Sequence, residues 1–170
     1  MTHNNYILKP HDYTYYDYGA DEYVPLDFTN LCAASGQENM LPLSPEGIAG
    51  HALGRALVES FWSPHNVQHI DVIGYAGATG FRDFKDEKHM VIGGVITLPE
   101  YQNKGLGSLT IMDLLDAAST PDALAQFRHA GFIARCNPAS TALLGKLGFE
   151  QAGEEGGKTL MVKPIELSAI

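Results

Sequence analysis

The chain has 170 residues, 45% apolar and 18% charged, a composition that builds a core without metal or disulfide staples. Its net charge of -9 argues against non-specific nucleic-acid binding, which needs clustered Lys and Arg; it suits a cationic ligand or simple solubility. Cys32 and Cys136 lie outside any C-x-x-C or His cluster, which excludes a disulfide framework and a zinc motif; no metal is expected.

In chain order, the segment from Met1 to Tyr23 holds six of the eight tyrosines and few aliphatics, so it reads equally as an edge strand, a packed arm or a substrate-side loop. Met1 to Lys9 has no basic segment followed by an apolar run, and no stretch reaches the roughly 18 apolar residues of a membrane span. A cytoplasmic location without membrane partners is expected. Pro25 to Leu43 reads as a helix and a loop. Ser44-Pro45 is an N-cap with proline in the first turn, and Ile48, Ala52, Leu53, Ala56, Leu57 and Phe61 predict a helix from there to about Phe61, ended by Ser63-Pro64-His65-Asn66. Val67 to Phe84 reads as one or two strands, Arg82 to Lys88 as a hairpin-like turn, and His89 to Leu98 as a buried strand with both faces covered. After Pro99, Gly107, Ile111, Leu114, Leu115 and Ala118 make a helical stripe. Thr120-Pro121 starts a short helix to about His129, Phe132 to Cys136 is a strand, and Asn137-Pro138 caps a helix that Gly148 ends. Two strands near Phe149 to Ala152 and Thr159 to Pro164, turned at Gly156-Gly157, close a single α/β or α+β domain.

Chemistry concentrates in the loop Gln102-Asn103-Lys104-Gly105-Leu106-Gly107, set between a strand and a helix. Glycines there let backbone N–H groups face outward, and the first N–H groups of a helix have no internal partner. With the helix dipole and Lys104, they form a phosphate site; alternatively, the glycines only permit a tight turn. Neither the P-loop nor the G-x-G-x-x-G fingerprint matches. The glycine run Gly74-Tyr75-Ala76-Gly77-Ala78-Thr79-Gly80 opens no helix and reads as small residues in a tightly packed strand. His65 and His69 sit four apart, but Pro64 weakens a metal reading.

Gln102 to Gly107 fits [QR]-x-x-G-x-[GA], and Asn137-Pro138-Ala139-Ser140 leading to Leu147-Gly148-Phe149 fits N-x-x-[AS] and L-G-F at the right distance. With these two blocks the chain resembles the GNAT superfamily of acyl-CoA-dependent N-acyltransferases over about 74–162. The resemblance implies a GNAT-like central mixed, mostly antiparallel sheet, splayed at the cofactor site and flanked by helices on both faces. It implies one domain over 1–170, with 1–73 the variable substrate side and 74–164 the acyl-CoA core. Pantetheine would run along Val95, Ile96 and Thr97. Pyrophosphate would sit on the N–H groups from Asn103, Lys104, Gly105, Leu106 and Gly107 to Ser108, with Gln102 opening the motif. Asn137 would touch the pantetheine arm as well as cap its helix.

Where many members carry a tyrosine acid, this chain has Leu144. That departure resembles the branch containing ribosomal-protein N-terminal acetyltransferases, in which the serine matching Ser140 assists the thiolate; Ser140 is equally a first-turn helix residue. No carboxylate lies between Met90 and Leu98, leaving His89 as the candidate base by its intrinsic pKa, with Glu59, Asp83, the N-terminal tyrosines or a water chain as alternatives. The expected activity is acetyl transfer from acetyl-CoA to a primary amine, on a small molecule or a peptide N-terminus. The alternative is a non-catalytic acyl-CoA sensor on the same fold. Family members often dimerise, so a homodimer is a further expectation.

Overall fold

The β-branched and small-residue runs in the middle of the chain build one seven-stranded sheet. The computed structural model describes residues 5–35, 43–62 and 68–165. In chain order these form β1 (Asn5–Pro10), β2 (Thr14–Asp17), β3 (Glu22–Pro25), α1 (Thr29–Ala34), α2 (Pro45–Ala49), β4 (Leu53–Trp62), β5 (Gln68–Phe84) and β6 (Glu87–Thr97). After a 3-10 turn at Pro99–Tyr101 come α3 (Leu106–Ala118), α4 (Pro121–Phe127), β7 (Gly131–Cys136), α5 (Pro138–Lys146), β8 (Glu150–Glu155) and β9 (Lys158–Pro164). The strand order is β1-β4-β5-β6-β7-β9-β8, and only the β6 and β7 pair is parallel. The expected mixed, mostly antiparallel sheet is therefore present.

Helices cover both faces. Ile111 and Leu114 of α3 and Leu144 of α5 pack with Ala76, Ala78, Met90 and Phe132 on one side. Leu31 of α1 and Ile48 of α2 pack with Ala56, Val58, Val72 and Tyr75 on the other. Among the described residues no helix is long and apolar enough to cross a membrane.

The helix expected from Pro45 to about Phe61 is wrong beyond its first turn. α2 stops at Ala49 with Gly50 as its C-cap, and β4 begins at Leu53. Ala56 and Val58 turn toward α1 and α2 while Leu57 joins Ile73 and Leu106, so the strand is buried on both faces. A continuous apolar run satisfies helical and strand periods alike, which is how the stripe misled. The expected helix end at Ser63 to Asn66, together with His65, lies outside the described residues.

The reversal between β5 and β6 is tighter than expected. Pairing continues to Phe84 and Glu87, leaving Lys85 and Asp86 at φ 50 and 64 as the two central residues of a mirror-image turn. The tyrosine-rich segment divides between two of its expected forms. β1 is an edge strand on β4, while Tyr13 and Tyr15 pack against the core beside α1.

Candidate functional site

β6 and β7 pair over only three positions, His89 with Gly131, Met90 with Phe132 and Val91 with Ile133, and then part. Two irregularities in β5 and β6 border the opening. β5 carries an extra residue at Thr79, and β6 carries one at Gly94–Val95, where Gly94 takes φ 64. Such bulges bend a strand and increase its twist, which carries β6 away from β7.

Two cavities open where the strands separate. One, of about 310 Å³, lies on the α3 and α5 side and is lined by Val95, Ile111, Cys136, Asn137, Ser140 and Leu144 among others. The second, of about 540 Å³, lies on the α2 side against Ser44, Gly47, His51, Thr79, Arg82 and Glu155. Both touch Ile92, Gly93, Gly94, Ala134, Arg135 and Lys158, so they meet in the gap.

The glycine loop leads out of β6 into α3. Gln102 donates its side-chain amide to the Thr97 carbonyl oxygen at 3.0 Å, which closes the loop on the strand it leaves. Asn103 (φ 63) and Gly105 (φ 75) are left-handed, and Gly105 is the N-cap of α3. No side chain caps this helix, so its leading N–H groups face outward with the positive end of the dipole behind them. A Cβ at Gly105 would meet nothing within 4 Å, so glycine is required there by φ and not by space. Lys104 stands 5.6 Å from the centre of the Tyr101 ring.

Across the gap, Asn137 accepts the backbone N–H of Ser140 at 2.8 Å and caps α5, with Pro138 in the first turn. Ser140 is half-buried and faces the smaller cavity, as does Cys136, whose thiol burial pushes above its ordinary pKa.

The family model described as acetyltransferase (GNAT) family matches residues 46–149, more than half of the chain. The chain belongs to the GNAT acetyltransferase family. Among solved structures it is similar to the Escherichia coli GNAT family N-acetyltransferase YhbS in complex with CoA, with TM-score 0.61 and 15% identity over 98% of this chain and 84% of that one. Arabidopsis thaliana NAA60 in complex with acetyl-CoA gives TM-score 0.62 and 13% identity over 95% and 99%. A mutant of the toxin AtaT bound to the C-terminus of its antitoxin AtaR gives 0.60 and 14% over 94% and 93%. Identities this low establish the shared fold only. No curated protein matches the sequence.

Measured against this GNAT frame, the sequence-predicted residues divide. Val95, Asn137 and Ser140 line the smaller cavity. Ile96 and Thr97 continue the β6 edge that β7 leaves unpaired, although the Ile96 side chain turns into the α1 and α2 core. His89 does not join them. It is 9% exposed, its Nδ1 lies 2.9 Å from the Glu87 carbonyl oxygen, and its ring stands edge-on to Phe84 at the closed end of the β6 and β7 pair. Glu59 accepts the Tyr101 hydroxyl at 3.3 Å, away from both cavities. Leu144 is buried in the core and borders the smaller cavity. Among the described residues no cluster of His, Cys, Asp and Glu forms that could hold a metal.

Sequence reasoning missed His51. Its Nδ1 lies 2.5 Å from the Tyr75 hydroxyl, its ring stacks on Tyr75, and it borders the larger cavity. Burial, and secondarily His11 nearby, lowers its pKa, so the ring is neutral at neutral pH. Desolvation drives the Tyr75 hydroxyl upward, so it keeps its proton. The signal that could have pointed here was Gly93-Gly94 inside a strand, the mark of a bulge or of a close backbone approach.

Proposed function

We propose that this GNAT chain is an acetyl-CoA-dependent N-acetyltransferase that moves the acetyl group directly to a primary amine. The observation that carries the reading is the parting of β6 from β7 beside the uncapped N-terminus of α3. An extended pantetheine arm suits the unpaired edge at Val95, Ile96 and Thr97, and a pyrophosphate suits the N–H groups from Asn103 to Ser108. Gln102 holds the loop in shape, and Asn137 has the place to contact the arm while capping α5. In this assignment 74–164 is the acyl-CoA core, and 1–73 supplies acceptor-side residues such as Ser44 and His51.

The acceptor enters from the larger cavity. With Nδ1–H donated to the Tyr75 oxygen, His51 keeps its Nε2 lone pair and takes a proton from the acceptor ammonium. The free amine attacks the thioester carbon, backbone N–H groups of the β6 edge stabilise the carbonyl oxygen, the carbon–sulfur bond breaks, and the proton that nitrogen loses on becoming an amide passes to the sulfur, which leaves as the CoA thiol. Ser140 donates a hydrogen bond to the departing sulfur. This reading moves the base from His89 to His51 because His89 lines neither cavity.

The test is thiol release from acetyl-CoA over a broad amine panel, together with acetyl-CoA binding by calorimetry. Gly105→Glu puts a carboxylate into the loop at a left-handed position and is expected to abolish binding; retained micromolar affinity overturns the cofactor assignment. A second reading, a non-catalytic acyl-CoA sensor, is favoured by Leu144 occupying the position where many family members carry a tyrosine acid. Tight binding with no thiol released on any amine would establish it.

A further inference from the structure

We infer that the acceptor amine carries an anionic oxygen group, as a free amino acid does. This rests on the transferase reading and names the substrate class of the same site. The chain as a whole is acidic, with a net charge of -9, which by itself favours a cationic partner. The larger cavity has the opposite balance. Its charged lining consists of Arg82, Arg135 and Lys158 against the single carboxylate of Glu155.

That carboxylate is already engaged, since Arg82 holds it by two bonds of 2.9 and 3.1 Å. Neither Arg135 nor Lys158 lies within ion-pair distance of a carboxylate among the described residues, although Arg135, after Arg82, helps hold the Glu155 carboxyl below its ordinary pKa, and both cations stand where the two cavities meet. A surplus of cations at the mouth of a concave site raises the local concentration of anions and repels a bare polyamine. The spacing of roles is also consistent. His51 borders the cavity from the α2 side, while Arg135 and Lys158 border it from β7 and β9, so an amine and its carboxylate have separate walls to face. Arg in particular binds a carboxylate through paired N–H donors, as Arg82 does with Glu155.

The experiment is calorimetric titration of the CoA-saturated protein with matched ligands: phenylalanine against phenethylamine, lysine against cadaverine, and serine against ethanolamine and phosphoethanolamine. The anionic member of each pair is expected to bind about tenfold tighter or more, the worth of one charge-assisted hydrogen bond. Serine and phosphoethanolamine separate a carboxylate from a phosphate as the favoured group. Lys158→Gln and Arg135→Gln are expected to weaken the anionic ligands far more than acetyl-CoA and so to remove the preference, and Lys158→Glu to invert it. Both residues are at least partly exposed, so the fold tolerates these changes. Equal or tighter binding of the decarboxylated amines overturns the inference, and so does a loss of acetyl-CoA affinity in place of acceptor affinity. Thiol release with the same panel is read separately. Anionic ligands that bind without releasing thiol sink the transferase reading alone, whereas faster release with decarboxylated amines sinks the acceptor class and leaves the transferase standing.

Discussion

The Tyr75 hydroxyl lies 2.5 Å from Nδ1 of His51, and its ring occupies the space that Gly54 and Gly77 leave on paired strands. A Cβ built on Gly77 would meet the Tyr75 hydroxyl, and His51 Nδ1 at 2.6 Å. Gly77→Ala is therefore expected to destabilise the chain by about 1–3 kcal/mol through overpacking, and to displace the pair. Gly80→Ala, three residues along the same strand, meets nothing within 4 Å and is expected to stay within about 0.5 kcal/mol of the parent. Urea midpoints of the two variants check this contrast, and comparable losses would show that Tyr75 is not the constraint.

In the transferase reading, His51 is expected to set the acid limb of activity. Burial, and secondarily His11, depresses this base, so kcat/KM should rise with pH through a midpoint that lies below the ordinary histidine value of about 6.5. His51→Gln is expected to remove that limb and lower kcat by about 100-fold or more, with the acetyl-CoA dissociation constant unchanged. His89→Gln is expected to leave the pH profile in place.

Asn137 has a structural role that is separable from any contact with the cofactor. Removing the cap in Asn137→Ala should cost about 1 kcal/mol of stability, while Asn137→Asp keeps the acceptor for the Ser140 N–H. If the side-chain amide also holds the pantetheine arm, both variants lose acetyl-CoA affinity in calorimetry although only the first loses stability in thermal melts.

A second histidine, His129, is expected to contribute to acid sensitivity. His129 is 4% exposed among Phe81, Phe127 and Phe132, and the backbone at Ala118 is a polar neighbour. Burial lowers its pKa, and the backbone at Ala118 offsets this only in part. The unfolded chain thus takes up the proton first, so the contribution of the neutral ring is complete above about pH 6.5 and is lost as pH falls below it. His129→Phe is expected to flatten the fall in urea midpoint between about pH 7.5 and about pH 5.5. An unchanged slope would assign the acid sensitivity to other groups.

The helix starts were legible because capping is local chemistry. Ser44, Thr120 and Asn137 each precede a proline, and each accepts a backbone N–H three residues on. The loop from Gln102 to Gly107 was legible for the same reason, since its left-handed positions and its helix junction are written within a few residues. β4 was not, because burial on both faces erases the alternation that distinguishes a strand. His51 was hidden more deeply. Its significance depends on Tyr75, on another strand, and on the bulge at Gly94, and no local pattern carries a contact of that kind. The titration range of a histidine says nothing about which end of the strand pair it occupies, and His89 lies at the joined end.

The three-residue union of β6 and β7 has a consequence for handling the chain. A sheet that parts in its middle gains a pair of inner margins in addition to its outer ones, each with backbone groups that lack a neighbour. A ligand lying along them acts as a removable strand, so occupancy should slow amide exchange from Ile92 to Thr97 and, by mass action, raise the melting temperature. Without that ligand, the same margins are templates for another copy of the chain. If coenzyme A is that ligand, as proposed, the protein without it is the form most exposed to self-association, and storage with coenzyme A is expected to reduce it.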